Sequence, residues 1–119
     1  MDSAAPVAEL DTPSAQSVQL GLYVEINARP DKINEVAHLL TNAQALVEAE
    51  PGTLNWFAVR VGDTRFAIFD TFNNESDREA HLNGEVAKAL MGKAEELLSE
   101  TPQIHKCEIL AAKYPMSAI

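Results

Sequence analysis

Between Thr53 and Phe72 the chain carries two runs of strand-forming residues around Gly62-Asp63-Thr64, and both runs are apolar on both phases of their alternation. Leu54-Asn55-Trp56-Phe57-Ala58-Val59-Arg60-Val61 and Arg65-Phe66-Ala67-Ile68-Phe69-Asp70-Thr71-Phe72 have the pattern of a β-hairpin. Successive strand residues point to opposite faces. Trp56 and Ala58 therefore face one way and Phe57 and Val59 the other, and Ile68 opposes Ala67 and Phe69 in the same manner. Such a hairpin needs cover on both sides, because a wet patch of Phe57, Val59 and Phe69 exceeds what a monomer tolerates. A second copy of the same sheet, related by a two-fold axis, supplies that cover most simply. The expectation is a homodimer packed sheet to sheet through Phe57, Val59 and Phe69. Cover by the N-terminal tail is the alternative, and that tail offers only Val7 and Leu10 as sizeable apolar anchors.

The remaining segments supply partners for the hairpin. Leu20 to Arg29 alternates, with Leu22, Val24, Ile26 and Ala28 on one side, and stops at Pro30. Ile33, Val36, Ala37, Leu40 and Val47 form a helical stripe that runs to about Ala49 and ends at Pro51-Gly52. Asn74 and Ser76 offer caps for a helix from Ser76 to about Leu98, bent at Asn83-Gly84, with Pro102 closing it. Ile104 to Lys113 reads as a last strand. The order β-α-β-β-α-β predicts an α+β, ferredoxin-like domain with a four-stranded antiparallel sheet and helices on one face. It spans residues 18–114, after a flexible tail over residues 1–17 and before a short tail over residues 115–119.

Charge narrows the partners. Nine Lys and Arg against eighteen Asp and Glu leave a formal charge of −9, which disfavours nucleic acid and anionic lipid. No apolar run approaches the length of a membrane helix, and the first residues lack the features of a secretory signal. The expected setting is cytoplasmic. A lone Cys107 excludes an intramolecular disulfide and a Cys-based zinc site. His38, His81 and His105 show no metal-ligand spacing, so neither metal nor cofactor is expected.

Chemistry is then left to a pocket between sheet and helices. With a three-residue loop at Gly62-Asp63-Thr64, Trp56 pairs with Asp70 and Ala58 with Ile68. One face then carries Trp56, Ala58, Arg60, Ile68, Asp70 and Phe72, an apolar lining with one carboxylate and an arginine at its end. His81, early in the second helix, is the candidate third member, because a carboxylate beside a histidine fixes its tautomer and raises its pKa, as a general base near neutrality requires. Structural readings stand beside each of these. Trp56 and Phe72 serve equally as core packing. Asp70 could cap the nearby helix or pair with Arg60 or Arg78, and His81 could be helix surface. His38 is expected in solvent, and Cys107 is expected as a buried structural thiol.

Ala28-Arg29-Pro30-Asp31, Glu50-Pro51-Gly52, and Phe69-Asp70-Thr71-Phe72 followed by Glu75, Arg78, Ala80, His81 and Leu82 together resemble the antibiotic biosynthesis monooxygenase family, over about residues 20 to 113. The resemblance implies a dimeric α/β-barrel with a pocket in each protomer. It also implies oxidation of an electron-rich phenol or quinol by O2 without metal or flavin. His81 and Asp70 are then the candidate catalytic residues, and Trp56, Arg60, Ile68 and Phe72 the candidate substrate-binding ones. Two departures limit the analogy. Anthrone-oxidising members carry an asparagine and a tryptophan where Ile68 and Phe72 stand here. The residues of the haem-degrading relatives are replaced by Ile26, Phe72 and Met91, which argues against haem degradation. A non-catalytic small-ligand-binding dimer and an isomerase or lyase are the competing functions on this scaffold.

Overall fold

The computed structural model describes residues 19–114, so the expected tails at residues 1–17 and 115–119 lie outside the described residues. Seven elements follow in order: β1 (Leu20–Asn27), α1 (Ile33–Glu48), β2 (Asn55–Arg60), β3 (Arg65–Phe72), α2 (Glu75–Leu82), α3 (Glu85–Leu97) and β4 (Gln103–Glu108). The strands form one antiparallel sheet in the order β2-β3-β1-β4. This is the ferredoxin-like α+β arrangement.

Each element follows from its pattern. In α1, Val36, Leu40, Ala43 and Val47 recur at helical spacing and are the buried residues. In β1, Leu22, Val24 and Ile26 are buried on the helix side and pair across to Asp70, Ile68 and Phe66 of β3. Val24, Ile26, Phe66 and Ile68 meet Val36 and Leu40 of α1, Leu90 and Leu97 of α3, and Leu98 just after it to make the main core. The hairpin register is the three-residue form: Trp56 lies opposite Asp70, Ala58 opposite Ile68 and Phe57 opposite Phe69. The Val61 amide donates to the Arg65 carbonyl at 2.8 Å and closes the loop.

Two elements differ from the sequence expectation. The long second helix is two helices, α2 and α3, divided at Asn83-Gly84. Asn74 caps α2 by accepting the Asp77 amide at 2.8 Å, while Ser76 lies inside the helix. The last strand ends at Glu108 rather than Lys113. Its neighbour β1 begins at Leu20, the partner of Glu108, and the Ile109 amide reaches only the Gln19 carbonyl (2.8 Å), beyond which no strand remains to pair with. Residues 109–114 instead run beside Phe57, Phe69 and Thr71 on the sheet's outer face.

That outer face is only partly covered. Phe57 is 56% exposed and Val59 49%. Tyr23 is also exposed, and its ring stacks on His105 at 5.8 Å between centroids.

Candidate active site

Helix α1 ends in a tight turn that brings one carboxylate inward. The Ala49 and Glu50 amides donate to the Leu46 and Val47 carbonyls, and Pro51-Gly52 then turns the chain toward β2. Gly52 packs so closely on α2 that a Cβ there would come within 2.6 Å of the Asp77 carboxylate. The turn is thus locked against the helix that carries His81.

His81 is buried, 7% exposed, and sits between two carboxylates. Its Nδ1 lies 2.6 Å from Glu50 Oε1, and its Nε2 lies 3.0 Å from Asp70 Oδ2. Thr53 Oγ1 donates to the same Glu50 oxygen at 2.8 Å. Asp70 is completely buried, and the Phe72 ring lies 5.4 Å from the imidazole. The electrostatics follow from this packing. Burial raises the Asp70 carboxyl above its ordinary 3.8, and the neighbouring imidazole opposes that rise. For His81, burial alone would lower the pKa, but the two carboxylates outweigh it and raise the group above its ordinary 6.5. The imidazole therefore holds its proton more tightly than a free histidine does.

Beside this group lies an open cavity of about 610 Å³, within the size range of small-molecule sites. Its walls include Leu40 and Val47 of α1, Glu50, Thr53 and Leu54 of the connecting turn, and Trp56 and Arg60 of β2. The Trp56 Nε1–H is buried and has no partner among the described residues. Arg60 lies at the far end, its guanidinium 4.7 Å from the centre of the Phe66 ring.

The sequence-predicted residues therefore separate into two groups. Trp56 and Arg60 line the cavity. Ile68 and Phe72 are core residues outside its wall, and His81 and Asp70 stand behind Glu50. Asp70 pairs with His81 and not with either arginine: Arg78 is taken by Glu75 and by the Gly21 and Cys107 carbonyls. His38 is exposed, and Cys107 is half-buried rather than buried. Glu50 and Thr53 were missed by reasoning from sequence. The Glu50-Pro51-Gly52 turn was visible, but its carboxylate meets a histidine 31 positions away, and no local pattern records that. No cluster of His, Cys, Asp and Glu with metal-binding geometry occurs among the described residues. No described helix is long and apolar enough to cross a membrane.

A family model described as antibiotic biosynthesis monooxygenase matches residues 20–93, more than half of the chain. Among solved structures, a protein of unknown function from Nitrosomonas europaea is 44% identical, with 85% of this chain and 98% of that one covered and a TM-score of 0.82. A Pseudomonas aeruginosa protein is 23% identical, covering 82% of this chain and 100% of its own, with a TM-score of 0.70. A Mycobacterium tuberculosis protein at 15% identity and a TM-score of 0.72 covers 81% of this chain and 99% of its own. These last two show the shared fold alone. No curated protein matches the sequence at a significant level.

Proposed function

Because the chain belongs to the antibiotic biosynthesis monooxygenase family, we propose that it is a cofactor-independent monooxygenase acting on a small electron-rich phenol or quinol in the cytoplasm. The observation that carries this reading is the pairing of a ring-sized cavity, walled by Leu40, Leu54 and Trp56, with a buried His81–Asp70 pair behind it. The substrate supplies the electrons. Loss of a hydroxyl proton makes the ring electron-rich enough to reduce O2, and exclusion of water keeps that anion reactive. For a quinol the sum is quinol plus O2 giving hydroxyquinone plus water, with one oxygen atom entering the ring. In this reading the base function lies in the buried group around His81 and Asp70. Trp56 stacks on the ring and offers its free Nε1–H to an oxygen. Arg60 steadies negative charge at the far end of the cavity, while Ile68 and Phe72 support the site from the core.

The working unit in this reading is a homodimer joined through Phe57, Val59 and Phe69. Its support is the exposure of Phe57 and Val59 on a face that no helix covers. Oxygen uptake with menadiol, corrected for autoxidation, tests the activity. A protein-dependent rate is expected, and a rate equal to the autoxidation background would overturn it.

A further inference from the structure

We propose that Glu50, rather than His81, is the catalytic residue that takes the proton from the substrate's hydroxyl. The inference rests on the reading that the cavity binds a phenol, and it identifies which member of the buried group meets that phenol. Three observations converge on this residue. Glu50 and Thr53 line the cavity wall, whereas His81 and Asp70 do not. Both ring nitrogens of His81 face carboxyl groups, Nδ1 hydrogen-bonded to Glu50 at 2.6 Å and Nε2 3.0 Å from Asp70 Oδ2, and neither is turned to the cavity wall. Glu50 commits only one oxygen: Oε1 serves both His81 Nδ1 and Thr53 Oγ1, and Oε2 is buried with no partner among the described residues.

Charge gives the step its direction. Two carboxyl groups share one imidazole here, so with all three ionised the group carries one net negative charge, and an uncompensated buried charge is costly. Uptake of one proton removes it. The substrate O–H bond breaks, a Glu50 O–H bond forms, and the electron pair stays on the substrate oxygen, the anion that O2 then oxidises. The proton then rests on Glu50 Oε2, the oxygen with no other partner among the described residues, while Oε1 keeps its contacts with His81 and Thr53. Space beside Glu50 is kept by Gly84, where a Cβ would stand 3.0 Å from Oε2 and 3.2 Å from the Ala80 carbonyl.

The test uses 4-nitrophenol, whose phenolate is coloured and whose phenol is not, on the intact protein. Trp56 is the only tryptophan of the chain and lines the cavity, so quenching of its fluorescence reports occupancy separately from deprotonation. At a pH below the phenol's own pKa, wild-type protein should quench and turn the bound phenol to phenolate. Glu50→Gln should still quench, while its phenolate fraction falls to that of the free phenol. Undiminished phenolate in Glu50→Gln would overturn the proposal, as would wild-type binding without deprotonation. Absence of quenching in wild type would overturn the cavity reading and this proposal with it. Phenolate formation without oxygen uptake on menadiol would leave Glu50's role standing and remove the oxygenase. Should Glu50→Gln fail to fold, the carbon-13 signal of the wild-type Glu50 carboxyl decides: it should move to the protonated position when 4-nitrophenol binds, and an unmoved signal contradicts the proposal.

Discussion

The two faces of the β2–β3 hairpin invert the usual economy of a sheet. A sheet covered on one side normally hides apolar residues there and turns polar residues to water. Here the covered face adds charged groups to its apolar core, with Asp70 on β3 and His81 pressed against it, and Arg60 at the cavity's far end. The uncovered face holds Phe57 and Val59. The difference shows that alternation tells which residues share a face, and not which face the chain covers by itself. In the proposed reading, the charge under the helices serves a site, and the apolar area left outside joins a second copy.

The largest effect is expected where that joining is broken. Phe57→Asp should convert the protein from dimer to monomer in sedimentation velocity, because burying an unpaired charge against an apolar partner costs several kcal/mol. A Phe57→Asp protein that sediments as wild type would locate the covered surface elsewhere. On the inner face, His81→Ala removes the imidazole that stands between the Asp70 and Glu50 carboxyl groups. Chemical denaturation should show a loss of about 3–5 kcal/mol, the usual cost of removing one partner of a buried ion pair. Equal loss from an exposed pair such as Lys88 with Glu85 would deny the buried group its special standing, since surface pairs are worth about 0–1 kcal/mol.

A smaller change is expected at the junction of the two helices. Gly84→Ala puts a methyl 3.0 Å from Glu50 Oε2, and crowding of this kind costs about 1–3 kcal/mol. It should lower the melting temperature and also slow menadiol oxidation, because the carboxylate has to move.

The hairpin, the strand pairs and the helical stripes were legible in sequence because each rests on local periodicity and one turn. The pairing of Trp56 with Asp70 followed from the length of the Gly62-Asp63-Thr64 loop. Other features depended on tertiary context. The end of β4 is set by where β1 begins, whereas the break at Asn83-Gly84 was already legible as a bend at its Asn-Gly pair. His81 and Asp70 were visible as candidates, since a histidine and a carboxylate on neighbouring elements already suggest each other. Glu50 was not, because a loop carboxylate gains meaning only from the helix packed against it.

The pH dependence of stability should be gentler but has a definite sign. Asp70 and His81 both bind their protons more tightly in the folded chain than in the unfolded one. Their contribution is thus fully present at low pH and declines as pH rises, first above 3.8 for Asp70 and again above 6.5 as the imidazolium is lost. Melting temperatures across that range should show the His81 part of the decline flatten in His81→Gln. An unchanged slope in that variant would assign the dependence to other groups.

The oxygenase reading is tested most directly by the fate of the oxygen atoms. Menadiol supplied with heavy-isotope O2 should yield a hydroxyquinone carrying one labelled atom, with the other in water. Glu50→Gln should slow that labelled product by roughly 10²-fold, the usual contribution of a positioned base. Unlabelled menadione formed at the autoxidation rate, alike in wild type and variant, would contradict the account.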